Sequence, residues 1–314
     1  MDVFSYLMRK LAIASCTLFF VISLTFILMH SIPGDPFLQE QAIPEEIMKS
    51  LYAYYGLDQP LYVQYGKYIK GILTWDLGPS FKYEGRTINH IIRDGFPISM
   101  SLGLFALSIA IVWGIFWGSV AAFFRGRWQD RCAMVIAVIG MSVPSFIMAT
   151  LLQYIFGMQL GLLPIARWGE FRHMILPAIA LSSFPSAFIA RLTKTSMVEV
   201  LEKEYIVTAR SKGLSSFEIW KNHVLKNSLL PIISYLGSLT ANILTGSFVV
   251  EKIFGIPGIG CWFVNSISNR DYTIIMGLTI FYSSLLMLAI FIADILFFFL
   301  DPRIKNNPIE YGTH

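Results

Sequence analysis

An all-α protein that crosses a membrane six times is expected from three features of this chain. Of its 314 residues, 55% are hydrophobic and only 14% are charged, and the mean hydropathy is +0.61; soluble domains carry about 25% charged residues. The apolar residues gather in runs of about 20, the length that spans a bilayer as a helix. The short loops between the runs alternate between rich and poor in Lys and Arg, as polytopic proteins do. The pI near 8.9 raises the question of a nucleic-acid partner. The Lys and Arg residues lie beside the apolar runs, where membrane topology explains them, so no nucleic acid is expected.

The first run, roughly residues 10–30, opens at Arg9 and Lys10. It is too long for the core of a cleaved leader, and SIPGDP stands where a small-residue cleavage site belongs, so a retained first helix is expected. Residues 31–97 form a long polar segment, expected outside the cell. Within it, IPEEIMKSLYAYYGL opens on Pro44, Glu45 and Glu46 and closes near Gly56, which suits a short helix. LYVQYGKYIKGILTW suits a second amphipathic helix whose aromatics favour the membrane interface. The remaining runs are 98–124, 132–157, 173–193, 229–250 and 273–300. Gly114 and Gly118 make a small-xxx-small pair for close helix approach. The fourth run holds Pro177 and Pro185, which membrane helices tolerate when neighbours satisfy the freed carbonyls.

Loop charge orients these spans. Arg125, Arg127 and Arg131 lie between the second and third runs. Arg191, Lys194, Lys203, Arg210, Lys212, Lys221 and Lys226 lie between the fourth and fifth. The loop at 158–172 has only Arg167 and Arg172, and that at 251–272 only Lys252 and Arg270. Positive loops stay in the cytoplasm, so both termini are expected inside, with Arg303 and Lys305 at the C-terminal end. The chain thus divides into 1–30, the N-terminus and first span; 31–97, an extracytoplasmic segment with short helices; and 98–314, a five-helix core with a cytoplasmic loop at about 194–228.

Chemistry is sparse. The sequence has no phosphate-binding loop, no HExxH, no CxxC and no GxSxG, and its five histidines are scattered. Neither a catalytic residue nor a metal site is expected. Cys16, Cys132 and Cys261 read as small buried hydrophobes. The intramembrane charge is Asp294. One reading makes it a coupling carboxylate. The preferred one makes it a helix-end acid paired with a base such as Arg191, or facing interfacial water.

The stretch ARSKGLSSFEIWKNHVLKN is basic yet holds bulky apolar residues. Gly213 breaks the chain, and Ser215 with Glu218 makes a capping box. A helix from about 216 to 226 puts Phe217, Trp220 and Val224 on one stripe and leaves Ile219 and Leu225 off it. Pattern leaves two readings open: a helix lying on anionic lipid, or a knob for a cytoplasmic protein.

From EYIVTARSKG to KNSLLP, the chain resembles the cytoplasmic loop of permease subunits of binding-protein-dependent ABC importers. That family's general pattern is Glu-Ala-Ala, three residues, Gly, then Leu-Pro. Here Val207, Thr208 and Ala209 occupy the first positions, Lys226 aligns with the later Pro, and Pro231 comes further on. These departures resemble the oligopeptide/dipeptide/nickel branch. So do LMHSIPGDPF, YGLDQPLYVQYGKYIKGILTWDLGPSF, VVEKIFGIPGIG and LDPRIK, most similar to the B-type subunit.

The resemblance implies a type I ABC importer permease fold in the bacterial cytoplasmic membrane. It implies a second homologous permease, two cytoplasmic ABC ATPases and an extracytoplasmic binding protein as partners, besides membrane lipid. ATP and Mg would belong to the ATPases, with no cofactor on this chain. The coupling loop would comprise Ala209, Arg210, Lys212, Gly213, Phe217, Trp220, Lys221 and Asn227, with Phe217 and Trp220 as anchors. Glu251, Gly255, Pro257, Gly258 and Gly260 would shape an outer gate loop, unless the glycines only make a tight turn. The expected cargo is an oligopeptide. A dipeptide or nickel permease of the same architecture, a proton-coupled secondary transporter and a non-transport scaffold stand as alternatives.

Overall fold

The computed structural model describes residues 3–32, 45–244 and 247–300. Pro44, most of SIPGDPF, and Arg303 and Lys305 of LDPRIK lie outside the described residues. Every regular element named among the described residues is helical. Helix α1 (Val3–Ser31) is followed by α2 (Glu45–Tyr55) and α3 (Leu61–Leu73). Helix α2 stops at Gly56, whose φ of 68° is left-handed, and the Leu57 amide closes the end on the Tyr52 carbonyl at 2.9 Å.

Helix α4 (Ile88–Phe123) begins well before the expected start at 98. Thr87 caps it by accepting from the His90 amide at 3.3 Å. After α5 (Trp128–Ser142) and α6 (Ser145–Leu152), which runs into a π-helical turn at Gln153–Gln159, comes α7 (Arg172–Leu201). The short helices α8 (Glu204–Ser211), α9 (Ser216–Ile219) and α10 (Leu225–Ser228) lead to α11 (Leu230–Leu244). Last come α12 (Phe248–Phe254), α13 (Ile259–Asn269) and α14 (Tyr272–Leu300).

By length and composition, four helices can cross a membrane alone, and up to six spans result if each of two bent pairs counts as one. The bends correct two expectations. The run 132–157 is not one straight helix: α5 and α6 meet at 106°. Pro144 stands at the N-cap of α6, where its missing N–H costs nothing. The region 251–272 is not a plain loop but the hairpin of α12 and α13, bent by 103°.

The seam of the bundle is α4 against α7. A Cβ on Gly114 would stand 2.6 Å from Ile189, and one on Gly118 2.5 Å from the Ala190 carbonyl oxygen. The small pair therefore lets two backbones touch, as its spacing anticipates. Pro177 and Pro185 are accommodated within a continuous α7. Ala106, Ala110, Leu176, Ala178, Ala180 and Ile189 are buried around this seam.

Basic residues gather at one end. Arg125 and Glu202 pair at 2.6 Å, and Lys194 reaches Asp130, whose carboxylate also accepts the Gly126 amide at 3.0 Å. Helix α14 starts beside the start of α4, where Ile88, Ile91, Ile259, Ile274 and Leu278 are buried together. Its far end therefore lies at the basic end. There Asp294 pairs with Lys10 of α1 at 3.1 Å. The expected partner Arg191 is replaced by a base from the neighbouring helix. Cys16 and Cys132 are exposed on the bundle, not buried as expected, and Cys261 is half-buried.

Candidate functional site

At the basic end, α8 to α10 fold into a compact hairpin on the tips of α4 and α7. Ile206, Ala209, Ile219 and Val224 are buried against Ala122 and Met197. The chain turns at Gly213, with φ 81° and nothing within 4 Å of a would-be Cβ. This glycine serves the left-handed turn, not close packing. Ser215 then caps α9: its hydroxyl accepts the Glu218 amide at 3.3 Å, and its own amide donates to the Glu218 carboxylate at 2.8 Å. The capping box is therefore complete. The Ser215 hydroxyl also donates to the Glu218 carboxylate at 2.7 Å, and this bond, with that from the Ser215 amide, holds the Glu218 carboxyl below the ordinary glutamate range.

The expected stripe is rearranged. Phe217 is 65% exposed, whereas Ile219 and Val224 are buried. The cause is a π-helical turn over Trp220–Val224, closed by the Leu225 amide on the Trp220 carbonyl. Its five-residue spacing brings Ile219 and Val224 onto one face. Trp220 packs against the buried cluster, and its indole N–H is buried without a hydrogen-bond partner. Its ring centroid lies 5.7 Å from that of Phe217. Arg210, Lys212 and Lys221 are exposed around the tip. Asn227 is set further back, bonded to the Tyr205 hydroxyl at 3.2 Å and the His223 carbonyl at 2.8 Å.

At the opposite end, Glu251 organises the α12–α13 hairpin. It is fully buried. The Ser99 hydroxyl donates to it at 2.7 Å and the Gly260 amide at 3.0 Å. Ser99 in turn accepts the Ile259 amide at 2.9 Å. The first free amides of α13 thus end on a carboxylate and a hydroxyl, which suits the positive end of a helix. The glycines divide into two roles. Gly255 adopts φ 63° and terminates α12. Gly258 and Gly260 give the carboxylate room: a Cβ on either would stand 2.5 or 2.9 Å from it. Pro257 lies in the bend between the two helices. The segment before α7 is pinned here too, since the Arg167 amide donates to the Phe254 carbonyl at 2.7 Å.

Sequence reasoning missed Ser99, Asp130 and Asp271. Ser99 carries no local signal, because its partner is 152 residues away. Asp271 is buried. It caps α14 by accepting the Ile274 amide at 3.2 Å and holds the 80–82 turn through Ser80 and the Lys82 amide. An acid directly before an apolar helical run was the available signal. Among the described residues no three His, Cys, Asp or Glu side chains are grouped to hold a metal ion.

Two family patterns match the chain. Residues 114–306 match the binding-protein-dependent transport system inner membrane component. Residues 3–103 match the N-terminal region of a binding-protein-dependent transport system membrane component. The dipeptide transport system permease protein DppB of Bacillus subtilis is 49% identical over 300 residues, covering 96% of this chain and 97% of that protein. The oligopeptide transport system permease protein OppB of Haemophilus influenzae is 41% identical, covering 96% and 99%. OppB of Escherichia coli K12 is likewise 41% identical over the same shares. Among solved structures, an inward-facing MetNI methionine ABC transporter superposes with a TM-score of 0.57 at 16% identity, covering 67% of this chain and 96% of that one. An amino acid ABC transporter superposes with a TM-score of 0.52 at 16% identity, covering 66% and 93%. These two likenesses bear on the fold.

Proposed function

Because the chain belongs to the family of binding-protein-dependent transport system inner membrane components, we propose that it is the membrane permease subunit of an ATP-driven peptide importer. Near-full-length likeness to dipeptide and oligopeptide permeases supports the cargo. The chain forms half of the translocation pathway, and a second permease subunit supplies the other half. Two cytoplasmic ATPase subunits bind and hydrolyse ATP, with its Mg, and an extracytoplasmic binding protein delivers the peptide. The basic end faces the cytoplasm, so both termini lie inside.

The observation that carries the mechanism is the capped hairpin. Phe217 is presented to solvent at its tip, while its underside is fused to α4 and α7 through Ala122, Met197, Ile219 and Val224. A large exposed aromatic on a rigid support is what a protein groove recognises. Phe217 enters the ATPase groove, and Arg210, Lys212 and Lys221 meet polar groups on its rim. Trp220 is the internal strut beneath it. When the ATPases close, displacement of the hairpin passes through this cluster to the α4–α7 seam. Helices packed as closely as Gly118 on Ala190 move together or not at all. At the other end, Glu251, Gly255, Pro257, Gly258 and Gly260 shape the outer gate. Its hairpin is latched to α4 through Ser99.

Uptake of labelled di- and oligopeptides, with nickel as comparison, in a strain lacking this chain tests the reading. Restoration of peptide uptake by the chain is expected. Restoration of nickel uptake alone would refute peptide as the cargo.

A further inference from the structure

A cavity of about 450 Å³ lies between the end of α1, α2, α3 and the start of α14. None of the residues assigned to the basic-end hairpin or to the Glu251 latch lines it. Its volume falls in the usual range for small-ligand pockets. Phe26, Ile72 and Met276 give it apolar walls. Its polar groups are incompletely used. The hydroxyls of Tyr68 and Tyr272 are buried with no hydrogen-bond partner, and both residues line the cavity. A buried hydroxyl left unpaired is destabilising, and a bound acceptor would relieve it. Lys67 also lines it, and no ion pair to Lys67 occurs among the described residues. Asp76 supplies one negative charge to the lining, and its carboxylate accepts the Gly78 amide only at 3.3 Å.

We propose that this cavity is a second peptide-binding site, which holds a short peptide by its charged ends before or beside the translocation pathway. Lys67 and the two tyrosine hydroxyls receive the C-terminal carboxylate, Asp76 receives the N-terminal ammonium, and the apolar walls take the side chains. Unpaired donors lining one apolar cavity, with a residue of each charge sign at its exposed edge, match a zwitterion better than a simple anion. The proposal rests on the peptide-import reading above.

The test is calorimetric titration of the full transporter, isolated in phosphatidylglycerol nanodiscs without its binding protein. The probes are trialanine, N-acetyl-trialanine and trialanine amide. Trialanine is expected to bind, and blocking either end is expected to weaken binding at least tenfold. Lys67→Ala is expected to bind trialanine at least tenfold more weakly and to lose discrimination between acid and amide while keeping that against acetylation. Tyr68→Phe and Tyr272→Phe, which keep the ring packing, are each expected to weaken trialanine threefold or more. Equal binding of the three probes, or unchanged acid–amide discrimination in Lys67→Ala, would overturn the site. Cells that import labelled peptide while the transporter fails this titration would leave the import reading standing. Cells that import none while the titration succeeds would remove that reading and keep the site.

Discussion

Glu251 and its neighbours separate two reasons for a glycine. Gly258 has an ordinary φ of −86°, so an alanine there meets no backbone strain. It meets the Glu251 carboxylate and the Ser99 hydroxyl at 2.5 Å. Gly258→Ala is therefore expected to cost about 1–3 kcal/mol by overpacking, seen as a lower unfolding temperature of the detergent-purified protein. Gly213→Ala meets open space and should cost only the left-handed backbone penalty of about 1 kcal/mol. An unfolding temperature equally depressed by both changes would contradict this division. Glu218 makes a pH prediction. Its carboxyl is depressed below 4.5 by the Ser215 bonds. The cap is therefore complete above that value and is lost as pH falls through the lower folded-state pKa. Exchange protection of the Ser215 amide, which the carboxylate accepts, should follow that curve, and Ser215→Ala should move its midpoint up toward 4.5.

The hairpin and the α4–α7 seam act as elements. Phe217→Asp should leave membrane insertion and the fold of the hairpin intact, because the side chain is largely solvent-exposed. Copurification of the ATPase subunits is expected to fall at least tenfold, as at a truncated hot spot. Trp220→Asp is a poorer probe, because its ring belongs to the packed cluster and the change buries a charge. Gly118→Leu should separate α4 from α7, since a Cβ already stands 2.5 Å from the Ala190 carbonyl. A loss of about 1–3 kcal/mol is expected, with uptake falling even if the ATPases remain bound. Normal uptake in Gly118→Leu would mean the seam does not carry the coupling motion.

For the molecule as a whole, what the sequence disclosed follows from which signals are local. The long spans were legible because a run of about 20 apolar residues has few other fates. A close helix approach was legible from Gly114 and Gly118, though not that its partner is α7, and α9 was legible from its capping box. The bend at Pro144 was not: a proline inside an apolar run reads the same whether the helix continues, as at Pro177 and Pro185 in α7, or turns by 106°. The buried face of the hairpin was misread, because a 3.6-residue period cannot foresee the π turn that aligns Ile219 with Val224. The partners of Glu251 and Asp294 were out of reach, since Ser99 and Lys10 are joined to them only by the tertiary fold.

On the proposed function, this chain imports peptide using ATP hydrolysed by partners that grip its basic-end hairpin. Peptide uptake into membrane vesicles, with internal ATP held constant and a protonophore present, tests it most directly. Uptake by the wild-type chain is expected to persist under the protonophore, to stop when ATP is removed, and to be lost in Phe217→Asp at normal membrane abundance. Uptake abolished by the protonophore at constant ATP, or supported by this chain without ATPase subunits, would contradict it.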